Sequence, residues 1–183
     1  FYEPWKTYGS EGYHSGPPNK PIGFDSLRIF YPYRIFTTES LKKFTLPLWN
    51  PYAFSGNTHL ATYQTAVFHP LTLLFLMLPP LDAWSIAVIL QPFLASFFTY
   101  LFLRSLKLGK KASTFGAIGW GFCSVFIVLM EETFMAGYSS LFLPLILYAI
   151  RGIFQKISVK SFVLLVLGLS GSILSGWFQM TFY

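Results

Sequence analysis

Apolar residues gather in the second half of the chain in runs long enough to cross a bilayer, whereas the first half is polar, aromatic and broken by turns. Four spans are predicted, at about 83–104, 112–130, 139–154 and 161–183. Gln91 and Pro92 fall at mid-depth in the first, where proline kinks a helix and an amide seeks a neighbouring helix rather than lipid. The second is rich in small residues (Gly116, Gly119, Gly121), the third contains Pro144, and the fourth places Gly168, Ser172 and Gly176 four apart, a spacing that lets another helix come close. Residues 67–79 are also apolar but too few to cross, since a span needs roughly 20 residues.

Upstream, residues 1–24 hold Pro4, Gly9, Gly12, Gly16, Pro17, Pro18, Pro21 and Gly23 and read as a loop. Residues 33–44 place Ile35, Phe36, Leu41 and Phe44 near one helical face with Arg34, Glu39, Lys42 and Lys43 elsewhere, the pattern of a helix lying in the membrane interface. The stretch 46–70 is the hinge of the whole pattern. Its three prolines, one glycine and two asparagines exclude a long helix, yet Trp49, Tyr52, Phe54, Tyr63 and Phe68 are too much aromatic surface for a solvated loop, so it is expected to fold against something. The chain thus divides into an outer-loop part, 1–82, with a membrane-dipping segment at 67–79, and a helical membrane part, 83–183.

Composition confirms the class: 54% of the 183 residues are hydrophobic, 20% aromatic and 11% charged, with a mean hydropathy of +0.52. That is an all-α polytopic membrane protein, not a soluble domain. The chain begins at Phe1 without an initiator methionine and stops at Tyr183 inside an apolar run, and so reads as a piece of a longer chain. Cys123 is its single cysteine, which excludes an intrachain disulfide. Charge then orients the spans. The connections 104–111 and 151–160 hold seven basic and no acidic residues, so the positive-inside rule makes them cytoplasmic; all seven acids fall on the other side with the remaining six bases. The formal charge of +6 is therefore a product of topology and does not signal nucleic-acid binding.

Candidate chemistry lies on the outer side. Asp25 stands three residues before Arg28 and nine before Arg34, a combination in which a carboxylate acts as general base while guanidinium groups hold phosphate; a local Asp-Arg pair at a helix start is the alternative. Glu131 and Glu132 end the second span, where adjacent carboxylates beside hydrocarbon need water, a partner or a cation. His14, His59 and His69 are external but lack ligand-like spacing, leaving the metal question open.

The run Leu46-Pro47-Leu48-Trp49-Asn50-Pro51-Tyr52, then Phe54-Ser55-Gly56, Ala61, Gln64, Ala66, Phe68 and His69-Pro70-Leu71, resembles the first outer loop of the bacterial YfhO-type membrane proteins. There the pattern reads approximately Leu-Pro-Leu-Trp-Asn-Pro, Gly-x-Pro, Ala-x-x-Gln and Tyr-Pro. The order of parts is similar too: an aspartate before the motif, a short apolar segment ending at prolines, the Arg104–Ala112 turn and the Leu143-Pro144-Leu145 run. The likeness covers most of residues 24–155. Asn57-Thr58 stands where the small-proline pair is expected and His69 where a tyrosine is usual, and the family's first transmembrane helix and most later helices are absent. The resemblance implies a GT-C-like helical bundle fragment in the bacterial cytoplasmic membrane, with a large first extracytoplasmic loop containing interfacial helices. It implies a glycosyltransferase, inactive as this fragment alone, that moves a sugar from a polyprenyl-phosphate donor in the lipid bilayer to an extracytoplasmic acceptor. Asp25 would be the base, Glu131 or Glu132 a second acid orienting the acceptor or a divalent cation, and Arg28, Arg34, Tyr63, Gln64 and His69 would bind substrate. A lipid or polymer transporter, with Gln91, Pro92 and the broken third span lining a pathway, is the competing reading; no span carries an ionisable residue at mid-depth, which favours a catalytic face.

Overall fold

The computed structural model describes residues 25–132 and 134–182. A π-helical turn, Ser26–Phe30, runs without a break into helix α1, Tyr31–Lys42, whose second residue is Pro32. α1 stops where Phe44 takes a left-handed φ of 55°. Residues 45–70 then form no long element. A two-residue antiparallel pair, β1 (Trp49–Asn50) and β2 (Asn57–Thr58), closes a turn through Phe54, Ser55 and Gly56, all at positive φ. The turn is tight because the Trp49 ring occupies the space beside Gly56, 2.7 Å from where a Cβ would stand. A 3₁₀ turn, Leu60–Thr62, follows, and helix α2 spans only Thr72–Met77 before Leu78 becomes extended ahead of Pro79 and Pro80. Six residues rise roughly 9 Å, so α2 does not cross a bilayer.

α3, Pro80–Ser105, is the longest helix, started by Pro80 with Asp82 in its first turn. α4 (Lys110–Gly121) and α5 (Ser124–Glu132) are one apolar span interrupted at Phe122 and Cys123. α6 (Phe134–Leu141) and α7 (Leu143–Gln155) are likewise one span broken at Phe142, because Pro144 cannot donate into the preceding turn. α8 is Val159–Leu174, capped by the Ser158 hydroxyl, which accepts from the Ser161 N–H at 3.2 Å; α9 is Phe178–Phe182.

Among the described residues three stretches, Pro80–Ser105, Lys110–Leu129 and Phe134–Gln155, are long and apolar enough to cross a membrane. The third begins five residues earlier than 139, and the fourth, expected over 161–183, is divided: α8 has 16 residues, roughly 24 Å, and Gly176 at φ 96° turns the chain into α9.

Small residues set the helix contacts. A Cβ at Gly121 would stand 2.6 Å from the Pro92 carbonyl oxygen and on top of the Ser96 hydroxyl, so α3 and α4 touch through this glycine. Gly168 faces Ile146, Gly171 faces the Phe142 ring, and Ser172 donates to the Ser139 carbonyl at 2.9 Å, which seats α8 on α6 and α7. Gln91 is fully buried in α3 and donates to the Phe134 carbonyl at 3.3 Å, while Tyr138 donates to the Ala87 carbonyl at 2.5 Å and Trp84 stacks on Phe134. At the far end Gly176 lies 3.0 Å, at its would-be Cβ, from the Tyr63 carbonyl; Tyr63 donates to the Ile173 carbonyl and stacks on Phe178. The loop and the last helices therefore close on one another.

These contacts separate two glycines of one helix. Gly121→Ala should lower stability by about 1–3 kcal/mol, because a backbone carbonyl cannot yield, whereas Gly119→Ala, with nothing within 4 Å, should be neutral or slightly stabilising. Thermal unfolding of both variants in detergent checks this, and equal Tm values would contradict it.

Candidate functional site

Helix α1 and the turn before it carry two faces. Arg28, Tyr31, Pro32, Ile35, Phe36 and Glu39 recur at helical spacing and line an open cleft of about 590 Å³, whose other wall is Asn50, Tyr52, Ala53 and Phe54. Phe30, Tyr33, Arg34, Thr37 and Thr38 recur on the neighbouring face and are buried. Ile35 and Phe36 are only half-buried and Phe44 is fully exposed, so the apolar set of 33–44 is turned outward, while the side with Arg34 and two threonines points into the protein. Hydrogen-bonding partners waiting in the loop decide the rotation.

Arg34 is 1% exposed. Its guanidinium donates to the Ala66 carbonyl and to Thr72 Oγ1, both at 3.2 Å, reaches Met135 Sδ at 3.0 Å, and lies 5.7 Å from the centre of the Phe75 ring. No carboxylate among the described residues pairs with it, and burial lowers its pKa from the usual guanidinium range to about 10, which leaves it a cation at neutral pH. His59 and His69 are buried close by. His59 shares a hydrogen bond of 2.8 Å with Thr37 and packs edge-on against Tyr33 and Phe36. His69 Nδ1 accepts from the Leu71 N–H at 3.3 Å, and its ring packs on Tyr138 and Phe142. Burial first, and the Arg34 charge second, lower His59 to about 4 and His69 to about 3, so both are neutral.

The residues singled out from the sequence are thus dispersed. Asp25 is exposed, one turn before Arg28, at the start of the stripe that lines the cleft. Arg28 is at the cleft and Arg34 is in the core, on a different face of the same helix, so a single phosphate cannot be held by both. Tyr63 and Gln64 line a separate hollow of about 290 Å³ with Gly176, Trp177, Phe178 and Gln179. His69 is sealed between aromatic rings. Glu131 and Glu132 are the last residues of α5, and their side chains, like His14, lie outside the described residues. Among the described residues no three of His, Cys, Asp and Glu converge as metal ligands.

Sequence reasoning passed over Glu39, Asn50 and Tyr52, which bring a carboxylate, an amide and a phenol to the cleft. Glu39 had a signal, since eleven residues after Arg28 is close to three helical turns. Asn50 had none, because its place depends on the β1–β2 turn. No family model, curated protein or solved structure matches the chain.

Two outcomes follow from the buried face. Arg34→Lys should lose about 1–3 kcal/mol of stability, since one ammonium cannot reach Ala66, Thr72 and Met135 together; Arg34→Met, which also removes a buried cation with no carboxylate partner among the described residues, should lose less. Unfolding curves of the two variants rank them, and an unperturbed Lys variant would refute the forked role. Because both imidazoles have pKa values lower folded than unfolded, the unfolded chain binds more protons below pH 6.5. Their stabilisation is fully present above pH 6.5 and is lost as pH falls toward about 4 for His59 and about 3 for His69. Tm measured from pH 7.5 to 4.5 should fall with acid, and less steeply in His59→Gln; a flat profile would show that the imidazoles are not buried neutral.

Proposed function

We propose that the chain is part of a membrane glycosyltransferase of the GT-C type, which transfers a sugar from a polyprenyl-phosphate donor to an acceptor outside the cytoplasmic membrane. The observation that carries this is the cleft of about 590 Å³ along the first helix. It offers what such a donor requires: a cation, Arg28, for phosphate, and polar and aromatic groups, Glu39, Asn50, Tyr31 and Tyr52, for a sugar. Asp25, exposed one turn from Arg28, is the general base for the acceptor hydroxyl. The Trp-Asn-Pro turn that resembles the YfhO-type loop supplies the opposite wall through Asn50 and Tyr52. Arg34 then has a structural role, keeping α1 and that loop in register.

In the full-length protein, Asp25→Asn should keep the fold and the donor affinity but lose 10²- to 10⁴-fold in transfer rate. Arg28→Ala should instead weaken donor binding, since its contact with phosphate exists before the transition state as well as in it. Transfer and binding of a polyprenyl-phosphate sugar are measured separately. Near-normal turnover in Asp25→Asn ends the assignment of the base, and a stability loss without a specific rate loss supports the local Asp-Arg pair instead.

A further inference from the structure

At the end of the bundle away from this cleft, α3 ends, α7 ends and α8 begins around a second cavity of about 410 Å³. Arg104, Ser105, Tyr148, Gln155, Lys160 and Ser161 supply its polar lining, and Leu101 and Leu164 its apolar part. The segments that build it, 104–111 and 151–160, contain seven basic residues and no acid. The cavity is held open by contacts that do not consume its two cations. Arg151 Nε donates to the Ser105 carbonyl at 3.0 Å and ties α7 to the end of α3. Gly152 lets the Ser161 hydroxyl sit 2.6 Å from where a Cβ would be, so α8 starts directly against α7. Arg104 uses one guanidinium nitrogen on the Leu108 carbonyl, which leaves its remaining N–H groups.

We propose that this cavity binds the phosphate of an anionic phospholipid headgroup in the cytoplasmic leaflet. Two cations with hydroxyl and amide donors and no carboxylate select a phosphate ester. The positive-inside rule places this end at the cytoplasmic leaflet, where anionic lipids lie, and basic pockets between spanning helices are suited to their headgroups. A lipid rather than a free anion is favoured by what surrounds the pocket. Phe154, Ile157, Val159 and Phe162, in and beside the α7–α8 connection, are 62–88% exposed, so acyl chains have apolar surface to follow while the phosphate meets Arg104 and Lys160. This site is independent of the chemistry assigned to the opposite end.

The test uses full-length protein in a neutral detergent, with native mass spectrometry counting bound lipid during titration. Phosphatidylglycerol should be retained at least tenfold more strongly than phosphatidylcholine. Arg104→Gln with Lys160→Gln should weaken it roughly 10- to 30-fold, as expected for two cations near a headgroup, and Lys160→Gln alone roughly fivefold. Lys110→Gln with Lys111→Gln removes the same charge outside the cavity and should change binding less than twofold. Equal losses in the two double variants would reduce the effect to diffuse surface attraction and overturn the site. Inorganic phosphate competing as well as the lipid would overturn the lipid assignment, and so would equal retention of the two lipids.

Discussion

A guanidinium buried with no carboxylate beside it among the described residues is the constraint on which the outer part of this protein depends. Arg34 joins α1 to the Ala66 carbonyl, to α2 through Thr72, to α6 through Met135 and to the Phe75 ring. Taking that charge out of water is costly, and only donors well matched to fixed acceptors offset it. The neighbourhood is arranged accordingly. His59 and His69 remain neutral beside the cation, and Thr38 turns its hydroxyl back to the Arg34 carbonyl at 2.7 Å. Since the loop, the short helix and the third span all meet at one side chain, α1 can have only one rotation about its axis. That rotation also brings Arg28 and Glu39 to the cleft.

The loop reverses the usual sorting of residues. Asn50, His59, Thr65 and His69 are buried, whereas Leu48, Trp49, Tyr52, Phe54 and Phe68 are 54–86% exposed. Burying polar groups is tolerable because many have partners: Asn50 accepts from the Tyr52 N–H at 2.9 Å, and Thr65 donates to the His59 carbonyl at 3.2 Å. Exposing aromatic rings suits the boundary between water and lipid, where an apolar body with a polar edge is at its most stable.

In the spanning part, close approach replaces charge as the organising force. Gly121 against Pro92, Gly168 against Ile146 and Gly171 against Phe142 let backbones come near enough for dispersion to hold helices together where no water is available to drive them. Beside the break at Phe142 the Ser139 carbonyl accepts from the Ser172 hydroxyl of α8 at 2.9 Å, and the Ser139 hydroxyl bonds to Ser175 and donates to the Trp177 carbonyl.

By itself, the pattern of residues determined three of the four expected apolar spans, the short segment that cannot cross, the turn-rich character of 46–70 and the asymmetry of charge between the two ends. These properties are local: a run length, a density of proline and glycine, a count of lysines, each acting through neighbours in sequence. The stripe of Gly168 and Ser172 was legible for the same reason, since helical spacing alone puts them on one face. What Arg34 does was not legible. Its acceptors lie 32, 38 and 101 residues away, and only their convergence makes it a buried clamp instead of a phosphate ligand. The inward face of α1 was not legible on the same account, because hydrophobic pattern ranks Ile35 above Thr37 while tertiary structure supplies Thr37 with His59. Likewise Asn50 and Glu39 share a cleft only because a two-residue strand pair turns one chain segment across another. Sequence decides what each segment can form; long-range hydrogen bonds decide which face of it is turned inward, and so which side chains remain for chemistry.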